Sequence, residues 1–402
     1  MALENILVIT DAVTQPLYHV RVRNIVQSLR DKNVTVDWIT EKYETIPSTL
    51  QVEPIIQISF YKHQGSIGKV EWVWKNILSL LFDYKNRYFT LKIKRYVANK
   101  KYDMVFCSTF HTFGLRAALK VAQEKQIPLH IDLRDIAEQC VNNVYSKTLD
   151  SNSFNLINKL YRYINIRRRN NILRQADSVS SVSPWHVNFL RQFHPNTHLI
   201  YNGYDEKDFY PTTIKTERFK IVYTGKFYGE PLQDPTLLFK ALAEIDKPFI
   251  DIVWYTNSEK HELLKQLASL YLSNTKHYIS INNYVPNSEI PSILAHSAIV
   301  LVLTNTGTKG VMTTKFFEAL GVEKPILCTK SDGGNLAKTI QETNAGIAAK
   351  TVDEVKQFIL EKYSEWEQKG YTHQQVVREK KNSFSRQTQA IQFEKLFNSI
   401  IK

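Results

Sequence analysis

The stretch that most constrains this chain runs from residue 298 to 329, AIVLVLTNTGTKGVMTTKFFEALGVEKPILCT. Its first six residues are short, apolar and rich in β-branched side chains, the mark of a strand buried on both faces of a parallel sheet. A polar loop with two glycines follows. Thr313 or Thr314 stands where a helix N-cap belongs, and Phe316, Phe317, Ala319 and Leu320 give the next helix an apolar face that ends at Gly321. Residues 325–329 form the next strand. Strand, loop, helix and parallel strand together predict an open α/β sheet.

Lys315 falls in the first turn of that helix, where the macrodipole and unpaired N–H groups disfavour a cation by roughly 0.3–1 kcal/mol. The cost is offset if an anion docks there. Amides at a helix N-terminus, hydroxyls on Thr313 and Thr314 and an adjacent ammonium suit a diphosphate, and Glu318, one turn on, is placed to accept from a ribose hydroxyl. The same residues also suit an ordinary capped helix whose Lys and Glu are solvated.

At 402 residues the chain is too long for one ordinary core and fits two α/β domains of about 200 residues each. Its net charge of +13 points to an anionic partner: nucleic acid, an anionic lipid surface or a phosphorylated substrate. Cys107, Cys140 and Cys328 are odd in number and far apart, so neither a disulfide framework nor a metal cluster is expected, and a reducing cytoplasm fits. No apolar run approaches the roughly 18 residues of a membrane span, and the N-terminus lacks a signal-peptide pattern.

Residues 5–10 predict a first strand, 20–29 a helix and 34–39 a second strand, a βαβ opening of the Rossmann kind. The intervening loop has no glycine, so no dinucleotide fingerprint is present. Further strands are expected at 103–108 and 128–132. Ligands sit beyond the carboxyl ends of such strands, which places His111 after one and Asp132, Arg134 and Asp135 after the next. Two carboxylates flanking a guanidinium make a fixed polar network, serving structure alone or binding an acceptor. Residues 69–101 alternate aromatic and basic side chains, including Trp72, Trp74, Lys75, Arg87, Tyr88, Phe89, Lys94 and Arg95. Read as one or two helices, they have the pattern of an interfacial membrane helix, with a basic helix at 159–174 adding to it. The plain alternative is aromatics in a core beneath a solvated charged face.

Several segments, taken in order, resemble glycosyltransferase family 4 enzymes of the GT-B fold. Residues 176–183, ADSVSSVS, resemble the family's AD-x-V-x-x-V-S, and 198–211, HLIYNGYDEKDFYP, resemble I-x-N-G-V-D-x-x-x-F-x-P, with Tyr204 at the valine position. Residues 219–226, FKIVYTGK, resemble the first strand of the second domain with its Gly-Arg or Gly-Lys end. Residues 283–290, NYVPNSEI, followed by 298–303, resemble G-x-V-x-x-x-E-I and the strand after it. Lys315 and Glu318 then fall on the family's Lys and Glu positions.

The resemblance implies two facing Rossmann-like α/β domains with parallel sheets. Residues 1–203 would bind the acceptor, 215–382 the nucleotide sugar, 204–215 would link them, and a C-terminal helix within 383–402 would return to the first domain. It implies retaining, metal-independent transfer from a UDP- or GDP-linked sugar to a glycan or lipid-linked acceptor, with no further cofactor. The basic segments at 69–101 and 159–174 point to the inner face of a membrane, and because the basic residues fall outside any recognised binding motif, no nucleic acid is expected. Gly225, Lys226, Lys315 and the amides of Thr313 and Thr314 would hold the diphosphate, Glu318 the ribose, and Tyr284 with Val285 the base. His111, Asp132, Arg134 and Asp135 would face the acceptor, with His111 and Asp135 also candidates for catalysis. An epimerase of the same fold would need its own acid–base residues at these last positions, and a catalytically inactive membrane-associated protein would need no nucleotide. The chain departs from the family pattern at Gly310, where a first glutamate often precedes Glu318, and at Pro231, where a second lysine is common.

Overall fold

The computed structural model describes residues 3–11, 20–42, 55–63, 65–109, 113–139, 155–229, 233–304 and 310–401. The chain forms two compact units. One comprises Met1–Tyr201 with Ala390–Lys402, and the other Asn202–Gln389. Residues 204–215, expected as a linker, therefore fall inside the second unit.

The first unit is built on β1 (Asn5–Thr10), β2 (Thr35–Glu41), β3 (Ile55–Ile58), β4 (Met104–Thr109), β5 (Leu129–Leu133), β6 (Ser178–Ser181) and β7 (Thr197–Leu199). They pair in parallel in the order β3-β2-β1-β4-β5-β6-β7, so the strand order reverses between β1 and β4. The helices are α1 (Val20–Arg30), α2 (Gly65–Phe82), α3 (Tyr84–Val97), α4 (Leu115–Lys125), α5 (Asn155–Leu173) and α6 (Pro184–Leu190). Alternation along β1 explains the layers, because successive side chains of a strand point to opposite faces. Leu7 and Ile9 join Phe89 and Ile93 of α3 and Leu115 and Ala118 of α4 in one core. Ile6 and Val8 join Val22, Ile25 and Leu29 of α1 and, from the C-terminal helix (Arg386–Ile400), Phe393 and Phe397 in the other. The expected return of the last helix to the first domain is thus visible within that unit's own core.

The second unit repeats the plan with β8 (Phe219–Thr224), β9 (Ile250–Tyr255), β10 (Tyr278–Asn282), β11 (Ile299–Leu303), β12 (Ile326–Thr329) and β13 (Gly346–Ala349), all parallel in the order β10-β9-β8-β11-β12-β13. Its helices are α7 (Thr236–Ala243), α8 (His261–Leu272), α9 (Ile290–Ala295), α10 (Thr314–Gly321), α11 (Asn335–Thr343), α12 (Val352–Lys369) and α13 (Arg378–Asn382), and α14 is the C-terminal helix already described. Local chemistry sets the ends of α12. Thr351 and Glu354 form a capping box at its start, and Gly370, at φ 79°, closes it in the left-handed conformation. Strand β11, wholly buried, reads as a continuous apolar run for the reason expected of a central parallel strand.

Residues 202–211 brace α10 from below. Gly203 packs so closely on the 384–386 turn that Tyr204 N donates to Phe384 O at 3.2 Å and Arg386 N donates to Tyr204 O at 2.9 Å. At the far end of α10, a β-carbon on Gly321 would lie 2.8 Å from Phe209 Cβ and from Tyr204 Cδ2. Phe316 and Phe317 of α10 meet the Phe384 ring at centroid distances of 6.3 and 5.3 Å. Among the described residues, no helix is long and apolar enough to cross a membrane.

Candidate functional site

In the second unit the strand order reverses between β8 and β11, and open α/β sheets hold ligands beyond the strand ends at such a point. Strand β8 ends at Thr224, and Gly225 turns the chain with φ 111°, a conformation that L side chains rarely adopt. Lys315, at the start of α10 beyond β11, folds back over this turn. Its Nζ lies 5.4 Å from the centroid of the Tyr223 ring. A β-carbon on Gly225 would lie 2.5 Å from Lys315 Cε and 2.8 Å from its Nζ. Glycine is therefore required at 225 twice, for its backbone and for the space the lysine fills.

The turn itself is fixed. Tyr223 donates its hydroxyl to the Lys226 carbonyl at 2.8 Å, and the Phe227 amide donates to Thr256 Oγ1 at 3.0 Å and Asn257 Oδ1 at 2.9 Å. The Lys226 side chain stays exposed, its Nζ 5.1 Å from the Tyr228 ring. Thr313 occupies the N-cap of α10 in extended conformation without its side chain accepting a capping hydrogen bond. The start of α10 thus lacks a side-chain cap, and Lys315 stands in its first turn, a combination that suits an anion.

Lys315 and Glu318 are both half-buried, and each shifts toward neutrality. Burial lowers the Lys315 pKa, with Glu318 opposing. Burial raises the Glu318 carboxyl to about 7, with Lys315 and Arg386 opposing. Arg386, buried at the start of α14, donates from Nη1 to Gln389 Oε1 at 3.1 Å. Sequence reading missed it, since nothing in its local pattern connects it to α10. Lys315 and Arg386 therefore both act on one acid, whose pKa burial raises to about 7.

A pH dependence follows for folding. Because the folded state raises the Glu318 pKa from 4.5 to about 7, it retains a proton that the unfolded chain has released. This contribution to stability is full below pH 4.5 and is lost as pH rises to 7. Glu318→Gln, which cannot titrate, should lose none of it. The melting temperature of the variant relative to the parent should therefore climb across that window, and a constant difference would contradict the placement.

Tyr284 is exposed and Val285 half-buried in the segment after β10, at the same end of the sheet. Burial raises the pKa of the Tyr223 hydroxyl, its hydrogen bond with Gln233 opposes, and Tyr228 and Tyr284 add to the rise.

In the first unit the reversal lies between β1 and β4, and Asp11, Thr109 and residues 132–135 converge there. Asp132 does not face a ligand. It is fully buried, and its two oxygens accept from Arg21 Nε at 3.1 Å, Arg21 Nη2 at 3.2 Å, Ser108 Oγ at 2.9 Å and Ser180 Oγ at 2.7 Å. Burial pushes its pKa up, yet Arg21 and these donors hold the carboxyl below its usual value. Arg21 also donates to the carbonyls of Tyr201 at 2.6 Å and Ile200 at 2.8 Å. The expectation that Asp132 contacts an acceptor is thereby corrected, since all four of its hydrogen bonds tie β4, β5, β6 and α1 together.

Arg134 is buried, and burial lowers its pKa against the opposing fields of Asp11, Asp132 and Asp135. Asp135 is half-buried beside it. Asp11, another residue the sequence reading passed over, accepts from Thr109 Oγ1 at 2.6 Å. His111 and Pro231 lie outside the described residues.

Residues 19–208 match the profile described as Glycosyltransferase Family 4. No curated protein sequence matches the chain. Among solved structures, HepE of Anabaena in complex with UDP-glucose is similar at a TM-score of 0.65 and 14% identity, covering 98% of this chain and 99% of that one. The sucrose-phosphate synthase of Thermosynechococcus elongatus is similar at a TM-score of 0.63 and 15% identity, covering 98% of each chain. A glycosyltransferase of Rickettsia africae is similar at a TM-score of 0.62 and 15% identity, covering 100% of each. At such identities the structural likeness establishes the α/β GT-B fold, and the profile match bears out the family resemblance over the segment it covers.

Proposed function

We propose, from the premise that this chain is a GT-B-fold glycosyltransferase with a family 4 domain over residues 19–208, that it moves a sugar from a nucleoside-diphosphate donor to a lipid-linked glycan acceptor. The observation that carries the reading is the Lys315 ammonium, packed against Gly225 at the uncapped start of α10 where the strand order reverses. HepE, a similar structure, was solved with UDP-glucose bound, which favours a UDP-linked donor, with GDP the alternative base.

The chemical task is to stabilise the diphosphate as its bond to the anomeric carbon breaks. The α10 amides at Thr313 and Thr314, with Lys226 and Lys315, supply positive potential where that charge develops, so no divalent ion is needed. Glu318, as carboxylate, accepts from the ribose hydroxyls, and Tyr284 with Val285 flanks the base. In a retaining front-face reaction the bond from C1 to the phosphate oxygen breaks as the acceptor oxygen bonds C1. The acceptor proton passes to the leaving phosphate, and no protein base is required. Arg134, Asp135 and His111 are assigned to the acceptor. The enzyme would work in glycan assembly on the cytoplasmic face of a membrane.

The test is donor turnover with UDP- and GDP-sugars in the presence of EDTA, following the released sugar by NMR. An α-configured sugar released from an α-linked donor supports the reading. Inversion overturns retention, strict metal dependence overturns the role of the lysines, and accumulation of an epimerised donor favours an epimerase.

A further inference from the structure

Helix α2 is built inside out. An ordinary surface helix turns its apolar stripe to the core and its charges to water. Here Glu71 faces inward, accepting from the amides of Lys62 at 3.0 Å and His63 at 2.9 Å and pairing with Lys75 at 2.6 Å. Lys75 lies 4.7 Å from the Phe60 ring centroid and donates to the Phe60 carbonyl. Asn76 donates to the Tyr61 hydroxyl at 3.2 Å, and Ser79 is buried.

The outward side carries Ile67, Val70, Trp74, Ile77 and Leu81, spaced three and four apart on one stripe. They are 67%, 69%, 61%, 44% and 63% exposed. A contiguous exposed apolar face of this kind marks a surface that is covered in use. The expected mixture of aromatic and basic residues over 69–101 is thus divided. Phe89 of α3 is core, whereas α2 turns Ile67, Val70, Trp74, Ile77 and Leu81 to the outside and leaves Trp72 half-buried.

Charge identifies the cover. Residues 65–97 hold seven basic side chains and two acidic ones. Both acids are engaged, Glu71 by Lys75 and Asp83 by Arg116 at 2.8 Å and Arg168 at 3.0 Å. Lys69, Arg87, Lys92 and Arg95 are exposed, and no ion pair involves them among the described residues. The Arg168 pair also brings α5 beside the α2–α3 corner, and α5 exposes Leu160 and Tyr163. A second copy of this chain on the same face would set like charges against each other. An anionic bilayer removes the apolar stripe from water and meets the basic rim with opposite charge.

We propose that α2 lies in the plane of an anionic membrane surface, with Ile67, Val70, Trp74, Ile77 and Leu81 among the acyl chains and the basic residues of α3 on the headgroups. This deepens the membrane part of the proposed function and rests on that reading only for its purpose, to bring the enzyme to a lipid-linked acceptor.

The experiment is co-sedimentation of the full-length protein with vesicles of phosphatidylcholine alone or mixed with phosphatidylglycerol, with nucleotide binding measured on the same samples. The parent should bind the mixed vesicles in a salt-sensitive way. Trp74→Ser with Leu81→Ser should weaken binding at least about tenfold, and Arg87→Glu with Arg95→Glu by more than about tenfold, while melting temperature and nucleotide affinity stay at parent values. Quenching of the parent's tryptophan fluorescence by brominated lipid, which needs no variant, should accompany binding. Failure of the parent to bind mixed vesicles, serine variants that bind as well as the parent, or a concentration-dependent dimer abolished by those serines would overturn the proposal. Vesicle binding by a protein that takes up no nucleotide would support the membrane face and overturn the transferase reading instead.

Discussion

Lys315→Ala is expected to lower kcat/KM for sugar transfer by about 10²–10³-fold, the scale on which a single preorganised charge contact to a developing anion acts. The ammonium has a fixed address. It is held between the Tyr223 ring and the Cα of Gly225, on a turn pinned by the Tyr223 hydroxyl and the Phe227 amide. A charge fixed before the reaction costs no reorganisation when the phosphate leaves.

The loss should appear in binding as well, with affinity for a nucleoside diphosphate falling more than affinity for the monophosphate, because the proposal assigns the cation to the diphosphate. Stability should hardly fall. Lys315 is a half-buried cation whose pKa burial has already lowered, and removing an incompletely compensated charge costs the fold little. A variant that lost activity together with folding would point to a structural lysine. Gly225→Ala should reproduce much of the defect without touching a charge, since its methyl would occupy the place of Lys315 Cε.

Gly203→Ala should destabilise the second unit by about 3 kcal/mol, at the upper end of what overpacking costs. A β-carbon there would stand 1.8 Å from the Phe384 carbonyl oxygen and 2.4 Å from Gln389 Nε2. A flexible side chain could swing away, but the carbonyl cannot. It accepts from Tyr204 N in the bridge that joins residues 204 and 385. For a unit of this size such a loss lowers the melting temperature by roughly 6–12 °C. Activity should fall further than stability alone explains, because the same turn positions Arg386 beside Glu318 and seats Phe384 against α10. Thermal unfolding and nucleotide affinity measured on one sample check both parts, and a variant as stable as the parent would contradict the close approach.

The asparagine-glycine of residues 202–203 shows how far the sequence could be read. Its resemblance to a family motif was plain, but the reason for the glycine, contact with a carbonyl from a segment remote along the chain, was not. Strand β11 and helix α10 were legible because their apolar periods and cap are local properties. Strand β13, GIAA, carries little such signal, and it packs where a β-carbon on Gly346 would meet the Ile326 carbonyl at 2.0 Å.

The site divides along the same line. Lys226, Lys315 and Glu318 lie near ends of strongly patterned elements, so order along the chain placed them. Asp132 was misjudged because its partner Arg21 comes from α1, and a buried arginine on an apolar helix face looks in sequence like any exposed one. Arg386 and Asp11 escaped for the same reason. Each acts through neighbours that only the fold brings together.

The most direct test of the central claim is calorimetric titration of the protein with UDP and GDP in EDTA, repeated on Lys315→Ala and Glu318→Ala. The structure predicts saturable, metal-independent binding of one of the two nucleotides, weakened in both variants. If neither nucleotide binds, or if both variants bind as tightly as the parent, α10 is only a helix with a lysine in its first turn, and the transferase reading falls.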